Sequence, residues 1–178
     1  SGDVHCNYVC DLKRRVDDPP DAAIASEFCG TSITSAGLPQ NRVAAALPLI
    51  AHPQIRNRGT VCGSLAHADP AAELPAVALA LDAIVHLASV RGRRALPAAD
   101  FFVSYLETAL APDEVLVGVD VPTVAPRTGA SFREMSRRHG DFAVAGAAVQ
   151  VVLHDDERVA ELRIALSGVA STPVRAGA

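Results

Sequence analysis

The chain has 178 residues and a net charge of −4, with 49% apolar and 20% charged side chains. That balance belongs to a globular chain able to bury a real core, and it excludes a disordered one. The acidic sum, with no basic stripe against it, argues against a nucleic-acid partner, and no apolar run approaches membrane-spanning length.

In chain order, "SGDVHCNYVCDLKRR" lacks the basic-then-apolar layout of a secretion signal. Cys6, Cys10, Cys29 and Cys62 are too sparse for a disulfide scaffold, so a reducing, cytoplasmic setting is the default expectation. Residues 1–42 are mostly loop-like, and only Ala22 to Cys29 predicts a short helix. "RVAAALPLI" is a short apolar segment broken by Pro48. Pro75 lacks an N–H and disfavours helical geometry at Leu74, which predicts a helix from Pro75 to about Asp82 with an apolar face of Val77 and Leu81.

From Ala83 the period changes. "AIVHLASV", the turn "RGRR" and "ALPAADFF" predict a strand, a tight turn and a short return strand. In "EVLVGVDVP", Val115, Val117, Val119 and Val121 recur in steps of two, the mark of a strand with one buried face. "ASFREMSRR" is a further strand candidate, and "FAVAGAAVQVVLHD", the turn "DDER" and "VAELRIALSGV" predict a long β-hairpin. After Ser171 no further element is expected. The predicted class is α+β with mostly antiparallel pairing.

The stretch 55–75, "IRNRGTVCGSLAHADPAAELP", is too polar for a core and too specific for a linker. Within it, Gly59 to Ser64 combines a glycine that permits close backbone approach with the hydroxyls of Thr60 and Ser64. Consecutive N–H groups in such a turn make an anion-binding nest. The run lacks the lysine of a P-loop and is not G-x-G-x-x-G, and on spacing alone a plain turn is the competing reading. Arg56 and Asn57 either brace this loop, touch a phosphate or lie on a solvated face. Glu73 suits the acceptance of hydrogen bonds from sugar hydroxyls, with a solvated carboxylate at a helix start as the alternative. His67, Asp69 and Glu73 match no strong zinc pattern, and a Cys6, Cys10, Cys29 zinc site is only a weak rival. "SRRHGDFA", taken by itself, is a solvated turn.

The stretch "HPQIRNRGTVCGSLAHADPAAELPAVALALDA" closely resembles the second flavin-contacting segment of the FAD-binding subunits of molybdenum hydroxylases. This family includes the medium subunit of carbon monoxide dehydrogenase and the flavin domain of xanthine dehydrogenase. The resemblance continues in family order through "EVLVGVDVP", "FREMSRRHGDFAVAGAAV" and "IALSGVASTPVRA", over about residues 41–178. It implies non-covalently bound FAD that takes electrons from a [2Fe–2S] subunit fed by a molybdenum-cofactor subunit, and passes them to NAD, a quinone or oxygen. It further implies that Thr60, Val61, Cys62, Gly63 and Ser64 wrap the pyrophosphate and that Glu73 holds a sugar hydroxyl. Ile50 is expected near the ring, Leu116 packed on the flavin, and Arg133 where relatives often carry a lysine beside the isoalloxazine. Donors for phosphate, an acceptor for ribose, apolar walls and a cation favouring reduced flavin are the chemistry such a site needs.

The expected organisation is an unassigned segment over 1–40, a partial FAD-binding (PCMH-type) domain over 41–125, and the start of the flavoprotein C-terminal α+β domain over 126–178. Two departures stand out: Cys62-Gly63 replaces the usual Gly-Gly pair, and the family's first glycine-rich loop is not found in residues 1–40. The family's C-terminal domain also continues beyond the length seen here, so a truncated, non-catalytic docking module is the alternative expectation.

Overall fold

The protein is described by a computed structural model covering residues 8–12, 25–29, 43, 45–123, 125–138 and 140–177. Two antiparallel sheets flank a small set of helices, in agreement with the α+β expectation. The first sheet begins with β1 (Tyr8–Leu12) paired to β2 (Ala25–Cys29), Tyr8 opposite Cys29 and Leu12 opposite Ala25. The helix expected over 22–29 is therefore a strand at its described residues. So short a segment has too few turns to hold itself as a helix, and β7 (Val115–Asp120) offers it a backbone partner where Glu27 faces Asp120. Residues 22–24 and Cys6, together with the side chains of Cys10 and Cys29, lie outside the described residues, so the zinc expectation does too.

The same sheet is completed by β3 (Ile84–Ser89) and β4 (Gly92–Pro97), in the order β1-β2-β7-β3-β4. Ser89 pairs with Gly92, so the turn is Val90-Arg91 and the expected "RGRR" turn is mostly strand. The expected return strand ends at Pro97 and gives way to α4 (Ala98–Phe101), then to the small pair β5 (Phe102–Ser104) and β6 (Glu107–Thr108). Phe101 drives that change: it is fully buried and meets Phe102 edge to face, with centroids 5.3 Å apart.

Strand β7 departs from the simple alternation expected of its valines. Leu87 pairs with Leu116 but His86 pairs with Gly118, so Val117 is an extra residue in a bulge. The bulge reverses the phase, burying Leu116 and Val119 and leaving Val115 65% exposed.

Before this sheet closes, the chain makes a 3-10 turn at Leu47–Leu49 and three helices, α1 (Pro53–Arg56), α2 (Val61–His67) and α3 (Glu73–Ala80). Helix α3 begins two residues earlier than Pro75 suggested. A proline at its third position loses nothing, because the first four N–H groups of a helix have no intrahelical partner. Nor does α3 carry one apolar face: all eight of its residues are buried.

The second sheet explains that burial. It contains β8 (Thr128–Ser136), β9 (Ala143–Leu153), β10 (Val159–Ser167) and β11 (Val174–Arg175), ordered β11-β10-β9-β8. The long β9–β10 hairpin is the one read from the sequence, whereas β11 occupies a stretch expected to hold no element. Phe132, Ala148 and Ala165 of this sheet join Leu74, Val77 and Leu81 and the first sheet's Val85, Leu87 and Leu116 in one continuous core. Arg175 fastens the far end of α3 through the Leu79 carbonyl, at 2.8 Å, and through Asp82.

Candidate functional site

A cavity of about 520 Å³ opens between the α1–α3 segment and the turn joining β8 to β9. Ile50, Thr60, Gly63, Ser64 and Glu73 line it, so five of the nine residues singled out in the sequence meet at one place. Arg58, His67 and Asp69 add polar groups, and Ile55 and Phe142 add apolar ones.

The Thr60–Ser64 run forms this wall differently from the loop expected. Thr60 is the N-cap of α2, with extended backbone (φ −119°, ψ 154°), and its Oγ1 accepts the Gly63 N–H at 2.9 Å. The Gly63 N–H is thus committed within the protein, and the run is the first turn of a helix. A Cβ at 63 would lie 2.7 Å from Thr60 Oγ1, so a side chain there would require the capping hydroxyl to shift. Helix α2 stops at Ala68, which takes the left-handed conformation (φ 53°). Asp69 then holds the α2–α3 connection, its Oδ1 accepting the Ala71 N–H at 2.9 Å.

Arg56 has the bracing role among those open to it. Its Nη1 donates to the carbonyls of Ile50 and Ala51, both at 2.7 Å, and of Pro48 at 3.3 Å. One guanidinium therefore fixes the segment carrying Ile50 against α1.

Glu73 is 8% exposed at the start of α3. Burial pushes its carboxyl up to about 7; its own backbone N–H pulls the other way, and the charges of Glu134 and Asp69 and a hydrogen bond with Glu134 add to the rise. Glu73 is therefore a carboxyl poised near neutrality, not the solvated carboxylate that was the alternative.

The opposite wall comes from a stretch read as a solvated turn. Gly140, Asp141 and Phe142 line the cavity. Gly140 has φ +88°, and a Cβ there would run into the His52 ring just ahead of α1, so only glycine lets this turn close against the wall. The signal available in the sequence was the density of polar residues around a glycine in "SRRHGDFA".

Four expected residues lie off the cavity wall. Val61 and Cys62 pack against the core from the first turn of α2. Leu116 is buried at 6% exposure on β7, across from Leu87. Arg133 is exposed on β8, between the inward Phe132 and Glu134, and pairs with Ala147. Periodicity within one segment cannot report such placements, because each depends on which sheet face meets α3.

Among the described residues, no helix is long and apolar enough to cross a membrane. A family profile described as "FAD binding domain in molybdopterin dehydrogenase" matches residues 22–124, and one described as "CO dehydrogenase flavoprotein C-terminal domain" matches residues 130–178. The alpha subunit of the 6-hydroxypseudooxynicotine dehydrogenase complex of Paenarthrobacter nicotinovorans is 51% identical over 126 residues, covering 71% of this chain and 43% of that protein. The carbon monoxide dehydrogenase medium chain of Hydrogenophaga pseudoflava is 40% identical over 152 residues, covering 85% of this chain and 52% of that protein. Reconstituted CO dehydrogenase from Oligotropha carboxidovorans superposes with a TM-score of 0.79 at 29% identity, covering 85% of this chain and 55% of that chain. The chain thus spans about half the length of these relatives. With a flavin-domain profile over more than half its length and the matching C-terminal profile directly after it, the chain belongs to the FAD-binding flavoprotein family of the molybdopterin dehydrogenases.

Proposed function

We propose that this chain holds FAD in the cavity between α2, α3 and the β8–β9 turn, as the flavin component of a molybdenum hydroxylase of the cytoplasm. In this reading residues 41–125 serve as the FAD-binding part, which the profile match extends back to residue 22, and 126–178 as the start of the C-terminal domain. Electrons arrive from a [2Fe–2S] subunit, itself supplied by a molybdenum-cofactor subunit, and leave to an acceptor such as NAD, a quinone or oxygen. The observation that carries the reading is the meeting of Ile50, Thr60, Ser64 and Glu73 on one cavity in a chain of the flavin family.

The donor set fits the cofactor. Ligand sites typically measure about 300–1,000 Å³, with mostly apolar walls and a few convergent polar groups, which describes this cavity. Arg58 and the Ser64 hydroxyl can donate to phosphate oxygens; the Thr60 hydroxyl keeps its own proton for the same use while it caps α2. Glu73 would bond a sugar hydroxyl, and Ile50, Ile55 and Phe142 would shield the apolar parts of the ligand from water. Val61 and Cys62 contribute by seating α2, Leu116 contributes packing, and Arg133 is assigned no contact. When bound, the flavin supplies the redox chemistry, while the side chains bind, orient and exclude water.

Titration of the chain with FAD, followed by flavin fluorescence, tests the reading. Ala72 lines the cavity at the N-cap of α3, so Ala72→Phe fills the space without burying a polar group. The expected result is saturable binding to the wild type and at least about a tenfold loss in Ala72→Phe at unchanged melting temperature, the equivalent of about 1.4 kcal/mol. Wild-type binding that Ala72→Phe does not alter would move the flavin elsewhere.

A further inference from the structure

Two arginines flank Asn57 at the end of α1, and the fold uses them differently. Arg56 is committed, its Nη1 donating to the carbonyls of Ile50, Ala51 and Pro48. Arg58 is anchored through its backbone. Its N–H donates to the Ile55 carbonyl at 3.1 Å, and the Gly59 N–H donates to the same carbonyl at 2.8 Å. The exposed Arg58 side chain has no hydrogen-bond or ion-pair partner among the described residues, yet it lines the cavity together with Thr60 and Ser64. An arginine on an exposed loop is ordinarily just solvated; the charges of this wall make its position consequential. Among the described residues lining the cavity, Asp69, Glu73 and Asp141 bring carboxyls, and Arg58 is the single arginine or lysine. The Gly63 N–H is already taken by Thr60 Oγ1, and the hydroxyls of Thr60 and Ser64 are neutral donors. A ligand bearing two phosphate charges therefore meets a wall whose acids repel it, and one guanidinium that can offset them.

We propose that Arg58 sets the charge selectivity of the cavity: its guanidinium takes oxygens of a diphosphate, and the Thr60 and Ser64 hydroxyls complete the grip. The proposal rests on the cavity being the FAD site, and it names the group by which that site selects a dinucleotide over an uncharged flavin. A guanidinium presents its N–H donors in a planar fork that matches two phosphate oxygens, whereas a lysine offers a point charge. Because the Arg58 head is engaged with no described residue, it turns to the ligand without breaking a bond inside the protein. Arg56 cannot take its place. Swinging that side chain toward the ligand would strip its donor from the Ile50 and Ala51 carbonyls and release the segment that carries Ile50.

Calorimetric titration of FAD into the 178-residue chain, as wild type, Arg58→Met and Arg58→Lys at low and high salt, reads the role. Arg58→Met should melt at the wild-type temperature and bind FAD about 10- to 100-fold more weakly, the loss of a charge-assisted hydrogen bond. Arg58→Lys should recover part of that loss, because the charge returns without the fork. Raising the salt from about 50 to about 300 mM should weaken binding to the wild type and Arg58→Lys but not to Arg58→Met, where the screened ion pair is gone. An Arg58→Met variant with wild-type FAD affinity overturns the proposal. So does a loss that lysine does not reduce and that leaves the salt dependence unchanged, since the arginine would then act as an apolar wall. A lowered melting temperature in Arg58→Met overturns it too, by giving the side chain a structural tie. Wild-type protein that binds no FAD overturns the flavin reading itself. Binding that is lost in Ala72→Phe but kept in Arg58→Met leaves the flavin in its cavity and removes only the charge selectivity.

Discussion

At the scale of single residues, Glu73 couples the cavity to the stability of the fold. Its carboxyl rises from 4.5 to about 7 on folding, so the unfolded chain releases this proton first. Stability from this group is complete below pH 4.5, falls as pH rises toward 7, and stays about 3 kcal/mol lower beyond it. Glu73→Gln cannot ionise and should lose that slope. Urea unfolding should show the variant near wild-type stability at pH 4.5 and more stable by up to about 3 kcal/mol at pH 8; an equal gap at both pH values would exclude ionisation as the cause. Gly168 is a second residue with a defined demand. It sits at φ +76°, its N–H donates to the Pro70 carbonyl at 2.7 Å, and a Cβ would fall 2.6 Å from the Val144 carbonyl oxygen. A backbone atom cannot rotate away, so Gly168→Ala should cost at least about 1–3 kcal/mol from strain and overlap, read from the denaturant midpoint.

At the scale of elements, the cavity depends on short pieces that cannot hold their own shape. The 3-10 turn at Leu47–Leu49 and the four-residue α1 are too small to persist alone, and Arg56 ties them by bonding three carbonyls. Arg56→Met keeps much of the side chain's length but leaves those carbonyls without this donor. It should cost about 1.5–3 kcal/mol, the range for hydrogen bonds to charged groups, and weaken FAD binding by loosening Ile50. Melting curves and protease cleavage near residues 48–51 measure the two effects; unchanged cleavage would mean that the segment is held by other contacts. Elements of this size are also where reading the sequence was least secure. The β9–β10 hairpin was legible because eleven and nine residues of strand pattern flank a polar turn. Strand β2 was not, because five residues carry little period and the partner β7 lies far along the chain. The phase of β7 was hidden for another reason: Val117 bulges only because Leu87 and His86 fix their partners one residue apart from simple register.

At the scale of the whole molecule, α3 joins two regions that family profiles treat as separate domains. Its residues are buried between the second sheet and the remainder of the FAD-binding part, in one core with Phe132, Ala165 and Leu87. Heat should therefore unfold the described body in a single transition. Leu74→Ala, at a position 2% exposed, should lower that transition by about 2–5 kcal/mol without splitting it. Two calorimetric peaks in the variant would show that the two regions fold independently.

The sequence by itself determined the family, the α+β class and the segment that carries the cavity's near wall, because these are written in contiguous runs: glycine, hydroxyl and acid between residues 59 and 73, and alternating strands from 128 to 167. Only the tertiary structure decided that Thr60 caps a helix, that Leu116 belongs to the core, and that Gly140 to Phe142 close the cavity from across the chain. It alone buried Glu73, raising its carboxyl, with the charges of Glu134 and Asp69 adding to the rise. Local pattern records the preferences of a residue and its near neighbours, whereas the charge and exposure of a side chain are set by whatever the fold packs against it, here from positions about sixty residues away.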